Sequence, residues 1–476
     1  MQSIWTNSVS IPAFSSLETS ITADVAVIGG GLAGILTAAL LQQRGVDIVV
    51  LEADRIGSGQ TAGTTAKLTA QHGLKYHQLA HDLGINTAAA YAKINQQAAE
   101  HLQQLIHKRD ISCELKTCTA FLYSTAPSIS LQEEYDTCRE LDMDVFLTQD
   151  TELPFPAQAL GLRNQAHFHP LKLIAELSKS LQIFEQSRVL REEGYQVETE
   201  KGSVDAQTVI FTCHFPFINV PGYYFARQHQ ERSCVLALEN AMALQDYYLG
   251  IDNNGLSFRP YGQYLLLGGS GYRTGENRQG GQYERLLQAA QRYWPNFRVA
   301  SSWSAQDCMP MDGIPYIGQY AKNRPNWLVA TGFQKWGMSS SMAAAEILSA
   351  MACGETPPAG AEIFSPHRFH VSASAKQLAD DVMHSVRNLG HRLLEPGRIP
   401  AEQLPIGHGG IVELDGEKLA VYHDESGKLF AVTAVCPHLG CQLEWNPDEK
   451  SWDCPCHGSR FDIYGHLLNG PAQKDL

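Results

Sequence analysis

A glycine-rich turn near the N-terminus constrains the fold more than any other feature of this sequence. Gly29, Gly31 and Gly34 form the pattern G-x-G-x-x-G directly after the apolar run 24–28, and a helical pattern of leucines follows. The first glycine permits a tight turn, the second lets the backbone approach a pyrophosphate, and the third lets helix and strand pack closely. Glu52 ends the next apolar run, where an acidic side chain accepts hydrogen bonds from a ribose. These features predict a Rossmann-like α/β domain that binds a dinucleotide.

Two further stretches favour FAD over NAD. The run 55–65 extends the phosphate site with hydroxyl-rich, flexible backbone, and the segment 331–338 precedes a helix whose N-terminus stabilises negative charge on a reduced flavin ring. The predicted contacts in these stretches are Arg55, Thr64, Thr65, Gly332, Gly337 and Met338. A second glycine run, 268–271, has no helix directly after it, which argues against NAD(P)H as a direct reductant.

The C-terminal tail contains a second candidate site. Two short motifs, C-P-H-L-G-C and C-P-C-H-G-S, place six candidate side chains close together: Cys436, His438, Cys441, Cys454, Cys456 and His457. Two Cys and two His on paired β-loops suit a 2Fe-2S cluster with Cys436 and Cys454 on one iron and His438 and His457 on the other. A structural zinc site is the alternative, but zinc gives no reason for the two additional cysteines.

Length and charge limit the class of protein. At about 150 residues per domain, 476 residues predict about three compact units. The formal net charge is 36 minus 50, or -14, which disfavours nucleic acid and anionic membranes as partners. Residues 401–476 have 12 acidic and 5 basic side chains, so half of that charge lies in the tail. The apolar stretch 25–41 is interrupted by glycines and short for a membrane span, and no basic residue precedes Arg44, so we expect a cytoplasmic protein.

The sequence between the two sites indicates a mixed architecture. Residues 86–109 have a helical pattern, and strand-like runs occur at 119–124 and 256–267. A buried strand at 327–330 and a helix from about 340 to 351 complete the nucleotide-binding unit late in the chain. Leucines and valines spaced three or four apart in 366–400 predict an amphipathic connecting helix. The tail after Gly409 has turn signals between short strands, which is typical of an all-β domain.

The first 365 residues resemble the FAD-dependent amine oxidoreductases of the D-amino-acid and glycine oxidase superfamily. The resemblance rests on the glycine fingerprint and on the segments 206–216, 312–318 and 331–338. It implies an α/β FAD-binding domain interleaved with an α+β substrate domain. The implied FAD parts are about 20–85, 165–216 and 310–365, and the substrate parts are about 86–164 and 217–309. It also implies that Val189 lies near the adenine and that Thr212 belongs to the FAD site.

Three residues are candidates for the substrate site. Amino-acid-oxidising members of the superfamily have a carboxylate-binding Arg where this chain has Asp307, and an acidic side chain does not hold a carboxylate. Arg259 is a candidate replacement clamp, or else a surface Arg of a strand. Lys67 is a candidate neighbour of the flavin, or else a solvated Lys, and Asp307 itself has the alternative of a solvated loop residue.

Residues 401–476 resemble a Rieske domain of the kind in which the additional cysteines of the two loops form a disulfide. Cys441 and Cys456 match those positions. The resemblance further implies that Leu439 screens the cluster and that Ser459 donates a hydrogen bond to a bridging sulfur. Phe461 stands where high-potential members have Tyr, so one hydroxyl donor is missing.

The whole chain resembles bacterial FAD-dependent oxidoreductases with a C-terminal Rieske domain. The expected function is a dehydrogenase that oxidises an amine or related small polar substrate and passes electrons through the cluster to an external one-electron acceptor, such as a basic protein. A non-catalytic redox relay or sensor and an oxygen-using amine oxidase are the alternatives. A Rieske-type oxygenase needs a mononuclear iron site, for which the nearest candidates are His72, His77, His81 and Asp82. His77 and His81 are one helical turn apart, which is typical of a solvated helix face.

Overall fold

A computed structural model describes residues 2–368, 404–414 and 416–476. Most of the predicted connector 366–400 therefore lies outside the described residues. The helices in the described part are α1 (Leu32–Gln43), α2 (Gln60–Gly63), α3 (Lys75–Leu83), α4 (Ile85–Lys108), α5 (Ile129–Glu140), α6 (Pro170–Ser178), α7 (Gln282–Tyr293) and α8 (Gly337–Ala352). Within those ranges, no helix is both long enough and apolar enough to cross a bilayer.

The strands of the flavin and substrate parts are β1 (Ser20–Ile28), β2 (Ile48–Leu51), β3 (Lys67–Leu68), β4 (Lys116–Ser124), β5 (Val145–Thr148), β6 (Gln158–His167), β7 (Gln182–Phe184), β8 (Arg191–Glu193), β9 (Gln196–Glu198), β10 (Ser203–Phe211), β11 (Gln228–Glu239), β12 (Tyr247–Gly250), β13 (Ser257–Tyr261), β14 (Tyr264–Arg273), β15 (Arg298–Pro310), β16 (Tyr316–Ala321) and β17 (Arg324–Thr331). Those of the tail are β18 (Gly409–Leu414), β19 (Glu417–His423), β20 (Leu429–Thr433), β21 (Glu444–Asn446), β22 (Ser451–Asp453), β23 (Arg460–Phe461) and β24 (Leu467–Asn469).

The first sheet positions the glycine-rich turn. Its order is β16-β17-β10-β1-β2-β7, with the hairpin β8–β9 beside β10. The pairs β17–β10, β10–β1, β1–β2 and β2–β7 are parallel, so their carboxyl ends meet at one edge. Short Val/Ile/Leu-rich runs form these strands because both faces of the sheet are covered. Helices α1 and α8 pack against each other on one face, which explains why the late segment completes the early nucleotide unit.

The second sheet forms the wall opposite this edge. Its order is β15-β11-β14-β13-β12-β4-β6-β3, with β5 beside β6. Most pairs are antiparallel, and α7 packs on the outer face through β14 and β11. The glycine run 268–271 lies inside β14, so it is not a second nucleotide loop.

The tail consists of two small antiparallel sheets, β18-β19-β20 and β21-β22-β23-β24. Its core contains Trp445, Trp452 and Phe461 together with the cysteines of both loops. The structure has the predicted architecture: a largely parallel α/β part, a mostly antiparallel α+β part interleaved with it, and an all-β C-terminal domain.

Candidate functional site

The glycine-rich turn has the close contacts that its pattern requires. Gly29 has a φ of +108°, and a Cβ on it would lie 2.9 Å from the carbonyl oxygen of Thr212. A Cβ on Gly34 would lie 1.9 Å from the carbonyl oxygen of Gly29, so only glycine lets α1 approach the turn. A Cβ on Gly31 would meet only Thr61 Oγ1, at 3.5 Å, which leaves the open side of the turn available to a phosphate.

Glu52 lies beside the turn, at the predicted ribose end of the site. Its Oε2 accepts a hydrogen bond from Gly30 N at 2.7 Å, and its Oε1 accepts one from Asp54 N at 2.9 Å. Burial raises the pKa of this carboxyl group, and both backbone bonds oppose the shift. Arg188 lines the same cavity near Glu52 and was missed by sequence reasoning, because no motif marks it.

A cavity of about 780 Å³ extends from the turn between the two large sheets. The predicted cofactor residues that line it are Gly29, Gly31, Glu52, Thr64, Val189, Thr212, Gly332, Gly337 and Met338. Gly34 lies beneath the turn instead. At the far end the wall belongs to the tail, with Glu449, Arg460 and Gly470.

The structure corrects two of the predicted FAD contacts. Arg55 turns away from the cavity: its Nε pairs with Glu185 Oε2 at 2.9 Å, and its Nη2 donates to the carbonyl oxygen of Ile11. Thr65 does not line the cavity, and its Oγ1 accepts a hydrogen bond from Lys67 Nζ at 3.0 Å. The position of Arg55 could not be predicted, since its partners Glu185 and Ile11 are remote in sequence.

Asp307 lies in strand β15, not in a solvated loop, and it lines the cavity. Its side chain is 16% exposed, and Lys335 Nζ lies 3.9 Å from Oδ2. Burial raises the pKa of Asp307 to about 6, and the charge of Lys335 opposes that shift. Lys335 also pairs with Glu231 at 3.4 Å, so its charge is shared between two carboxylates.

Arg259 is fully buried, so its interpretation as a surface Arg is wrong, whereas Lys67 is half-buried; neither side chain lines the cavity. Lys67 Nζ donates to Ser257 Oγ at 2.6 Å, and burial lowers the pKa of Lys67 to about 7. Arg259 is 0% exposed; Nη2 donates to Phe168 O at 2.8 Å, whereas Nε and Nη1 lack hydrogen-bond partners among the described residues. The guanidinium lies 5.1 Å from the ring of Trp5.

The four residues considered for a mononuclear iron do not meet. His72 is buried and stacks on Trp336 with ring centroids 4.7 Å apart. His77 lies near Glu133, and His81 bonds to its neighbour Asp82. These contacts leave no shared oxygenase site among the four.

The two tail loops present a donor set that fits a Rieske cluster. Cys436 and Cys454 are buried free thiols, and the hydrogen bond between them lowers the pKa of Cys436 to about 7. The rings of His438 and His457 lie 4.9 Å apart, centroid to centroid. His438 Nδ1 is buried and has no hydrogen bond to a described residue, which suits a nitrogen that ligates iron. The other ring nitrogen, Nε2, bonds to Asn219 Oδ1 at 2.8 Å and thereby sets the ring orientation.

Among the residues around these ligands, the structure forms the cysteine pair that the Rieske resemblance implies. Cys441 and Cys456 form a disulfide with Cα atoms 6.6 Å apart. Ser459 Oγ contacts the Cys436 side chain and accepts from Ala472 N at 3.0 Å. Leu439 is 44% exposed at the tip of its loop, and Phe461 is fully buried in the core.

The tail is docked onto the flavin part through buried polar contacts. Arg232 pairs with Glu449 at 2.6 Å, and Arg460 pairs with the same carboxylate at 2.8 Å. Both cations hold the pKa of Glu449 at about 2 despite its burial. At the other end of the interface, Asn277 Nδ2 donates to Asn446 Oδ1 at 3.0 Å. No sequence motif marks these contacts.

Comparisons with known proteins agree with both halves of the chain. The family described as FAD dependent oxidoreductase matches residues 24–351, and the Rieske [2Fe-2S] domain family matches residues 398–476. The Rieske 2Fe-2S iron-sulfur protein YhfW of Bacillus subtilis is 35% identical, and the match covers 100% of this chain and 97% of that protein. The cytochrome b6-f complex iron-sulfur subunit 2 of Trichormus variabilis is 35% identical over 124 residues, which are 25% of this chain and 66% of that protein.

Solved structures show the fold of the flavin part. Glycine oxidase from Geobacillus kaustophilus has a TM-score of 0.62 at 19% identity, covering 73% of this chain and 99% of that one. L-proline dehydrogenase from P. horikoshii has a TM-score of 0.61 at 16% identity, covering 75% and 98%. The predicted cofactors, FAD and a Rieske 2Fe-2S cluster, are confirmed by the two family matches. The chain belongs to the FAD-dependent oxidoreductase family, and it joins that fold to a C-terminal Rieske domain.

Proposed function

We propose that this protein is a dehydrogenase that oxidises an amine or related small polar substrate and passes the electrons through its Rieske cluster to an external one-electron acceptor. The shared cavity carries the proposal. Its wall runs from Glu52 and Val189 at the nucleotide end to Arg460 and Gly470 of the Rieske domain. FAD supplies an acceptor for an electron pair and a donor of single electrons, which is the conversion that a one-electron cluster requires.

Asp307 supports a cationic amine as the substrate. Its carboxyl group lines the cavity where relatives that oxidise amino acids have a carboxylate clamp, and near neutral pH it is mostly ionised with a pKa of about 6. FAD would accept the hydride, with its electron pair, that the carbon next to nitrogen gives up. The cationic amine also gives up one proton from its nitrogen, to Asp307 or to water, so the product is a protonated imine. Arg259 is not placed to clamp a substrate, because it does not line the cavity.

The fold relatives support a C–N bond as the electron donor. A glycine oxidase and an L-proline dehydrogenase share the fold of the flavin part. Both similarities are below 20% identity, so the CH–NH or CH–NH2 donor class is part of the proposal.

The acceptor is proposed to be a basic one-electron carrier. Residues 401–476 have 12 acidic and 5 basic side chains, a difference of -7, and an acidic field increases the encounter rate with a basic partner. A cytoplasmic location belongs to the same proposal. Its support is that seven described cysteines outside the two cluster loops are free thiols.

Anaerobic rapid mixing tests the proposal. The purified protein is mixed with amines that lack a carboxylate and with the matching amino acids, and flavin bleaching is followed. We expect bleaching by amines, and we expect Asp307→Asn to raise KM for the best amine at least about tenfold, because a buried charge loses its partner. Asp150→Asn, an exposed aspartate, is the control.

Other outcomes would replace the proposal. Reduction only by a protein donor would favour a redox relay or sensor. Peroxide formed in proportion to turnover in air would favour an oxygen-using amine oxidase. Preference for the amino acids over the amines would contradict the role of Asp307.

A further inference from the structure

The rings of both cluster histidines lie near Phe225, but the two histidine loops of the Rieske domain make different hydrogen bonds to the flavin part. The ring of His438 is half-buried and bonds to Asn219. His457 is only 7% exposed, and its carbonyl oxygen accepts a hydrogen bond from Gln230 Nε2 at 2.6 Å. The next carbonyl oxygen, that of Gly458, accepts from Gln306 Nε2 at 2.8 Å. The His457 loop is therefore the side of the cluster site that faces into the molecule.

Gln230 connects this loop directly to the flavin cavity. It is 2% exposed in strand β11, and its Oε1 accepts hydrogen bonds from His214 Nε2 at 3.2 Å and from Gln306 Nε2. Its Nε2 donates to His457 O and, at 3.1 Å, to Gly470 O. All four hydrogen-bonding positions of the amide are thus used. His214 lines the cavity, so one amide group separates the cavity wall from the His457 loop.

Glycines on both sides of the interface permit close contacts between the His457 loop and the flavin part. A Cβ on Gly458 would lie 2.8 Å from Gln230 Cβ and 2.8 Å from its Nε2. A Cβ on Gly275 would lie 2.5 Å from Pro455 Cα, in the same cluster loop. Gly458 thus lets the cluster loop approach the Gln230 side chain, and Gly275 lets the flavin part approach the backbone of Pro455.

We propose that Gln230 is a positioning residue that holds the His457 loop at a fixed distance from the flavin cavity, so that electrons pass from flavin to cluster within one chain while the domains are docked. The inference rests on the proposed dehydrogenase function. In each step one electron leaves the reduced flavin and one enters the oxidised cluster, and no bond forms or breaks. The external one-electron acceptor removes the first electron from the cluster before the second follows.

A photoreduction experiment measures this step without any substrate. The anaerobic full-length protein is loaded with FAD and cluster, the flavin is reduced by a light pulse with a sacrificial donor, and cluster reduction is followed optically. Gln230→Leu removes the amide at similar side-chain size. Asn277→Leu is the matched control, because Asn277 is also a buried interface amide but bonds to Asn446 and Asp448, away from the histidine loops.

We expect Gln230→Leu to slow cluster reduction at least about tenfold, since small displacements of reacting groups have large rate effects, and Asn277→Leu to stay within about twofold. Electron paramagnetic resonance of the chemically reduced cluster should be unchanged in both variants. A wild-type rate in Gln230→Leu, or equal slowing in both variants, would overturn the proposal.

A second variant covers the case in which Gln230→Leu loses its cluster. Gly458→Ala pushes a methyl group against the Gln230 amide and should also slow the transfer, and a wild-type rate in that variant would overturn the inference. A protein that transfers electrons normally after photoreduction but is reduced by no amine would instead contradict the proposed substrate class.

Discussion

Asp307 is a buried carboxyl group whose burial affects stability and, in the proposed reaction, chemistry. It lies on a strand, faces the flavin cavity and shares Lys335 with Glu231. Burial disfavours the ionised carboxylate more than the charge of Lys335 favours it, so the pKa of Asp307 is raised from 3.8 to about 6. A group of this kind is retained at the expense of stability, as is common at functional sites.

The first prediction concerns this cost. Because the folded pKa of Asp307 is above the unfolded value, the unfolded chain ionises first, and stability falls as pH rises from about 4 to 6. Asp307→Asn removes that titration. We compare the free energy of unfolding of the variant with that of wild type at each pH. We expect this difference to be up to about 3 kcal/mol more favourable to the variant at pH 8 than at pH 4. Denaturant unfolding at both pH values checks this, and an equal difference at the two values would refute it.

The second prediction concerns the hydrogen bonds around the cluster. Ser459 Oγ contacts the Cys436 side chain, and a hydroxyl donated to a ligand sulfur stabilises the more electron-rich reduced state. Ser459→Ala should therefore lower the reduction potential while the cluster remains bound. A redox titration monitored by electron paramagnetic resonance measures it. An unchanged or higher potential would contradict the assigned contact.

At the scale of elements, the fold relies on positions where two backbones meet without side chains. The third prediction uses a matched pair of glycines with positive φ. Gly275→Ala would place a methyl group 2.5 Å from Pro455 Cα, whereas a methyl group on Gly262 would have nothing within 4 Å among the described residues. Gly275→Ala should separate the domains and slow flavin-to-cluster transfer, and Gly262→Ala should show only backbone strain. Equal effects would mean that docking at Gly275 is unimportant.

The disulfide forms a covalent link between the two cluster loops. Cys441 and Cys456 are 15 residues apart, and closing a loop of that length contributes about 3 kcal/mol in the chain-entropy estimate. The fourth prediction is that Cys441→Ala/Cys456→Ala destabilises the Rieske domain by about that amount, as measured by loss of cluster absorbance in denaturant. Cys353→Ala, which removes a free thiol elsewhere, is the control.

At the scale of the whole molecule, the two cofactor sites are built separately, and the Rieske domain forms one end of the wall of the flavin cavity. The glycine turn belongs to β1 and α1, whereas the cluster ligands belong to the tail loops. Buried ion pairs from Arg232 and Arg460 to Glu449 hold the domains together. Such pairs are costly to break singly, which favours a docked arrangement.

The fifth prediction follows from this division. Cys454→Ser should abolish the cluster and leave FAD bound, because the glycine turn and Glu52 are built from the first sheet and its helices. Reduction of the flavin by substrate should stay within about threefold of wild type, but its reoxidation by a one-electron acceptor should slow by at least about tenfold. Absorbance and iron content measure the first part, and stopped-flow kinetics the second. Loss of FAD from a folded, clusterless variant would contradict the separation.

Local spacing in the sequence determined both cofactor classes. The glycine turn with Glu52, and the Cys and His pairs of the tail, each lie within short segments whose geometry follows from the backbone itself. The order of the α/β part and the all-β tail along the chain was also predictable from local sequence, because apolar periodicity reflects which face of each element is buried.

The tertiary structure alone decided which side chains meet across long sequence separations. It paired Arg55 with Glu185, placed Lys67 and Arg259 away from the cavity, and brought Gln230 to His457. Neither residue of such a pair carries a local signal, because burial and hydrogen bonding depend on how the two large sheets and the tail pack. The spacing of the motifs therefore specified which cofactors the chain binds. The packing of the domains specified which residues link the two cofactor sites.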